Sequence, residues 1–195
     1  MATQNLVCGL RPLMQGIQGN PSRVAAYAKP ASDTNPIYMF DLVMRVSATS
    51  VQPPEGGNPL LGIQGGNKGT AGTGLWLGPS LNYGAASTLT VHSVVDDPDA
   101  IFLVQSDSSS AQTIASLGTK NANLNVSGAA NAQLGPIGNL QSGMTLKSST
   151  VATTAGLDVR ILNLWDSPFN PDNAKYPILE VNIVLHQFKG QSVGV

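Results

Sequence analysis

The chain has 195 residues, 42% of them apolar and 11% charged, with a net charge of −1. That length buries a real core without staples, and the charged fraction falls far below the ~25% of an average soluble domain. The ten Lys and Arg residues are scattered singly, with no basic stripe, which argues against nucleic acid or an anionic membrane as a partner.

Residues 1–22 read as an arm. Gly9, Pro12, Gly16, Gly19 and Pro21 interrupt every periodic pattern, so a packed helix or long strand is not expected there. Leu6, Val7, Leu10, Leu13, Met14 and Ile17 are nevertheless too apolar for a solvated tail. Two readings stay open, a segment laid over a neighbouring chain and a tail wrapped around its own domain. No charged stretch followed by an apolar core marks a signal peptide. No apolar run reaches the ~18 residues of a membrane-spanning helix.

Residues 23–195 read as one β-rich domain. A short strand is expected over 23–29, a turn over 30–36 and a stronger strand over 37–48, where Leu42, Met44 and Val46 alternate with Arg45 and Ser47. Residues 51–82 are loop-rich, with one short strand at 60–63 and Trp76 burying its ring as an anchor. Residues 88–95 and 101–105 read as a hairpin around the turn Asp96-Asp97-Pro98-Asp99. The one helix signal covers 109–117, capped by Ser109 or Ser110 and ended by Gly118. The strongest alternation lies in 157–164 and 178–188, where Leu157, Val159 and Ile161 share one face of the first run and Leu179, Val181, Ile183 and Leu185 one face of the second. The fold class is therefore all-β, an antiparallel sandwich or barrel with one short helix, long loops and an extended N-terminal arm.

Signatures of catalysis are thin. His92 and His186 are the two histidines, each on the polar side of a strand pattern with no spaced partner. Residues 78–82 resemble a nucleophile elbow without its last glycine. The Gly-rich run 65–74 lacks the Gly-Lys-Ser/Thr of a phosphate loop. Asp96, Asp97 and Asp99 do not have the spacing of a calcium loop and suit a turn. Cys8 is the lone cysteine, so an intrachain disulfide and an ordinary structural zinc site are both excluded. No metal, cofactor or catalytic set is expected, and the chain reads as a non-enzymatic interaction protein.

Four stretches carry a likeness to a family. They are Gly9-Leu10-Arg11-Pro12-Leu13, then 27–43 ending in Phe40-Asp41-Leu42-Val43, then 94–102 with Asp96-Asp97-Pro98-Asp99-Ala100, and 148–187 with Arg160-Ile161-Leu162 and Val181-Asn182-Ile183. Together they resemble the small capsid decoration, or cement, proteins of tailed bacteriophages, which usually have Gly where this chain has Phe40. The resemblance implies a β-rich fold, a homotrimer on the outer surface of the capsid, and the major capsid protein as partner. On that expectation Leu6, Leu10, Leu13 and Ile17 are the apolar anchors of the arm on the shell, with Arg11 at its polar edge. Trp76 is expected at a subunit contact or as an anchor within its own loop. The rival reading is a carbohydrate-binding or adhesive β module on the virion surface, which would want a row of exposed aromatics where the chain has 5% aromatic residues.

Overall fold

The structure is a computed structural model and describes residues 9–13, 23–33, 37–38, 40–52, 60–70, 83–84, 90–125, 133–134 and 140–189. The fold is all-β, as the alternation predicts. Two five-stranded antiparallel sheets dominate it. The first has the order β1 (Arg11–Pro12), β9 (Ile101–Gln105), β16 (Ile178–Ile183), β15 (Val159–Leu164) and β10 (Asn121–Ala122). The second has the order β2 (Val24–Lys29), β8 (Thr90–Val95), β6 (Leu60–Thr70), β4 (Leu42–Arg45) and β5 (Val51–Gln52). Three two-stranded ribbons complete the described strands: β3 (Ile37–Tyr38) with β7 (Tyr83–Gly84), β11 (Leu124–Asn125) with β14 (Thr145–Leu146), and β12 (Gln133–Leu134) with β13 (Leu140–Gln141).

The two sheets share a core. Phe102, Val104, Val159, Ile161, Leu179, Val181 and Ile183 come from the first sheet and meet Leu42, Leu60 and Val95 of the second. This is a sandwich-like arrangement, held by apolar area removed from water. Successive side chains in a strand point to opposite faces. Val94, next to Val95, therefore packs on the other side of its sheet, in a second cluster with Tyr27, Ile37, Val43 and Val51. The pair β15–β16 follows the expected alternation as far as a register shift between Ile161 and Asn163. Leu162 faces outward as the alternation requires, and the bulge returns Leu164 to the core side, opposite Leu179.

Four expectations change. The strand over 37–48 breaks into β3 and β4, because Phe40 takes a left-handed φ of 68°. The run 65–70 is the latter part of β6, paired with β8, and not loop; it tolerates its glycines through two register shifts. The expected hairpin is a crossover: β8 pairs with β2 and β6 in one sheet, whereas β9 pairs with β1 and β16 in the other. The helix is α1 (Ile114–Leu117), capped by Thr113 and not by Ser109 or Ser110. Ser108 and Ser110 bond each other's neighbourhood instead, and local bonds of that kind compete with helix.

Candidate functional site

The crossover between the sheets carries a dense set of polar side-chain bonds. Asp96 follows β8 and is fully buried. Arg23, just before β2, donates to it from Nε at 2.9 Å and from an Nη at 2.8 Å. Tyr27 donates its hydroxyl to the same carboxylate at 2.6 Å. Burial pushes the Asp96 carboxyl up, but the Arg23 and Tyr27 hydrogen bonds outweigh it and hold the group below its usual value. From the other sheet, the Asn182 amide donates to the carbonyls of Pro98 and Ala100 at 3.1 and 2.9 Å. Lys189 in turn donates to Asn182 Oδ1 and to the Ile183 carbonyl. The acidic turn is thus a structural corner. Among the described residues no group of three or more His, Cys, Asp or Glu is placed to hold a metal ion.

The described part of the N-terminal segment belongs to its own domain. β1 pairs with β9, Arg11 opposite Leu103. Leu10 is fully buried in the main core, so it cannot anchor the chain to a shell. The physical reason is an unfilled sheet edge: β9 offers backbone groups that β1 satisfies, and Leu13 N–H donates to the Ile101 carbonyl at 2.8 Å. Leu10 N–H donates to the Phe40 carbonyl at 3.1 Å. Gly9 has φ +68°, and a Cβ there would lie 2.5 Å from Ser142 Cβ and 2.6 Å from that carbonyl. Arg11 is exposed, its guanidinium 5.5 Å from the Phe40 ring centroid. Leu13 is half-buried. Leu6, Ile17 and Trp76 lie outside the described residues.

Beneath this segment lies Asp41, nearly buried, accepting from Tyr38 N–H at 2.7 Å. Burial raises its carboxyl to about 6, against the pull of hydrogen bonds from Ser142 and Tyr38. The histidines are not on polar faces, contrary to the alternation. His92 and His186 are both fully buried. Burial, then the nearby Lys29 charge, lowers His92 to about 4, so it is neutral at pH 7. His186 Nδ1 accepts from Phe188 N–H at 3.1 Å. Both rings act as parts of the packing.

One surface feature was not anticipated. Phe169 is 78% exposed on the loop between β15 and β16. The loop is braced under the ring. Asn170 is buried, donates to the Trp165 and Ile178 carbonyls at 2.9 and 2.8 Å, and accepts from Ile178 N–H at 2.9 Å. Asp172 reaches across to accept from Ile114 N–H at 2.9 Å. The one sequence signal for such a display is an aromatic in the run Pro168-Phe169-Asn170-Pro171, where prolines fix the turn.

No family model, curated protein or solved structure matches this chain. The site therefore has to be read from its own chemistry. That chemistry is aromatic and arginine display on a charge-poor β framework, a composition enriched at protein interfaces.

Proposed function

We propose that this chain is a structural virion protein, a capsid cement protein. It binds the outside of a phage head as a trimer and stabilises contacts between capsomers of the major capsid protein. The observation that carries the reading is Phe169, a large apolar ring held in water by a loop with every brace in place. A bulky ring presented on a loop fixed beneath it has the form of an anchor for a partner's pocket. The resemblance of residues 94–102 and 148–187 to the decoration family names the partner. The left-handed Phe40 supports it too, since that family usually has Gly there and glycine favours this conformation.

The mechanism is area, without a chemical step. A protein bound across a seam in the closed shell stabilises that state by mass action. Several copies held together bind with avidity, because one detached contact stays near its site. The apolar anchors cannot include Leu10; Phe169 and the edge carrying Arg11 take its place. Co-sedimentation of the purified chain with undecorated, expanded heads tests this: saturable binding is expected, and heads that pellet without it would refute it. The carbohydrate-binding alternative is weaker, since Phe169 is the one aromatic more than half exposed among the described side chains. A glycan array separates the two.

A further inference from the structure

The N-terminal segment is docked over a carboxyl that has no counter-charge. Asp41 is 8% exposed, and among the described residues it forms no ion pair. Its Oδ2 accepts from Tyr38 N–H at 2.7 Å, and its own N–H donates to the Tyr38 carbonyl at 3.0 Å. The side chain thereby closes the turn that carries Phe40 in its left-handed conformation. A carboxyl in such a place is favoured as the neutral acid, because ionising it there costs hydration that two hydrogen bonds do not replace.

Residues 9–13 sit on that turn. Leu10 N–H donates to the Phe40 carbonyl at 3.1 Å. The Gly9 backbone lies against both neighbours of the carboxyl: a Cβ there would be 2.6 Å from the Phe40 carbonyl oxygen and 2.5 Å from Ser142 Cβ. Phe40 precedes Asp41 in the chain, and Ser142 hydrogen-bonds its carboxylate. Lifting the segment therefore uncovers Asp41 from two sides and admits water to it. The segment is also the easiest part to lift, since β1 is two residues long and lies at the edge of its sheet. Short edge elements of this kind open well before the core does.

The charged and titratable groups around Asp41 leave it uncompensated. The N-terminal segment brings Arg11, whose guanidinium lies over the Phe40 ring. β3 brings Tyr38, and β4 brings Arg45, whose guanidinium bonds the Ser47 and Ala48 carbonyls. The segment 142–144 brings no charged side chain. None of these charges moves the Asp41 carboxyl, which answers to burial and to the bonds from Ser142 and Tyr38.

We infer that Asp41 is a pH-sensitive latch on the N-terminal segment: residues 9–13 stay docked over the neutral acid and lift when it ionises. The open state gains a hydrated carboxylate that the docked state lacks, so rising pH favours opening and acid favours closure. Opening removes β1 from the edge of β9. The device works within one chain and rests on neither the shell contact nor any association between copies.

Hydrogen exchange on the full chain tests it, read as protection factors so that the intrinsic pH dependence of exchange divides out. The carboxyl moves from 3.8 to about 6 on docking, so protection at Leu10 and Leu13 N–H should fall about tenfold between pH 5 and pH 7 and level off above. Ile161 N–H, bonded to the Lys120 carbonyl toward the opposite edge of the sheet, should show no such fall. Asp41→Asn keeps an acceptor for Tyr38 N–H and should abolish the fall at Leu10 and Leu13. Ser142→Ala should move its midpoint to higher pH, because the lost bond favours the carboxylate; this variant decides the matter if Asp41→Asn does not fold. Equal protection at pH 5 and pH 7 in the wild type would overturn the latch. So would a fall that persists in Asp41→Asn, a midpoint unmoved in Ser142→Ala, or the same fall at Ile161.

Discussion

Arg23 and Asp96, 73 residues apart in the chain, form a two-point ion pair at 2.9 and 2.8 Å that ties the start of β2 to the corner between the sheets. The carboxylate is fully buried while the arginine side chain is 55% exposed. Such an asymmetric pair is better at fixing geometry than at adding stability, because removing one partner strands the buried charge.

Tyr27→Phe removes the third bond to Asp96, at 2.6 Å. It should cost about 1.5–3 kcal/mol in chemical denaturation, the usual size for a hydrogen bond to a charged group. The folded Asp96 carboxyl lies below its ordinary value of 3.8. Its stabilisation is therefore present above that value and is lost as pH falls through the depressed one. Asp96→Asn should be less stable at neutral pH and lose less of its stability on acidification than the wild type.

Asp41 and His92 act oppositely on pH. The Asp41 carboxyl rises from 3.8 to about 6, so the native state holds its proton longer than the unfolded chain does. Its contribution is complete below 3.8 and lost as pH rises to 6. His92 drops from 6.5 to about 4, so its contribution is complete above 6.5 and lost as pH falls to 4. Asp41→Asn should gain on the wild type as pH rises between those limits, the gain reaching about 1–3 kcal/mol by pH 7. His92→Gln should flatten the loss between pH 6.5 and 4. Parallel wild-type and variant curves over pH 3.5–7.5 would count against both assignments.

The N-terminal edge depends on two left-handed residues. Gly9→Ala forces a Cβ to 2.5 Å from Ser142 Cβ at φ +68°. It should release β1, seen as faster proteolysis before Leu13 and a loss of about 2–4 kcal/mol. At Phe40, glycine should be more stable than alanine by about 1 kcal/mol, reversing the normal order for an ordered residue. Alanine equal to or better than glycine there would refute the left-handed assignment.

Asn170→Ala removes three hydrogen bonds under the Phe169 loop. Hydrogen exchange at Ile178 N–H should accelerate, and stability should fall by about 2–3 kcal/mol. Phe169→Ala should leave stability unchanged, since the ring is mostly in water. That contrast separates the brace from the displayed ring.

Much of this framework was legible in the residues. Leu179, Val181 and Ile183 alternate with Glu180 and Asn182 because only one face of β16 meets the core, and period two records that. Partner choice left no such trace. Val91 to Val95 and Ile101 to Gln105 look like neighbours, yet the Asn182 and Arg23 bonds that send them to different sheets come from residues 73 to 84 positions away. Phe40 hides its break because a bulky residue gives no sign of a positive φ. His92 sat at a polar position in the alternation, but its sheet is covered on both faces, with Tyr27 opposite it. Leu10 looked like an anchor for another chain because its own chain's open edge at β9 lies 90 residues on.

The most direct test is to quantify this chain in purified virions. It should be present at a fixed ratio to the major capsid protein, and heads stripped of it should break at lower temperature and regain resistance when it is added back. Its absence from virions, or stripped heads as heat-resistant as intact ones, would contradict the cement function.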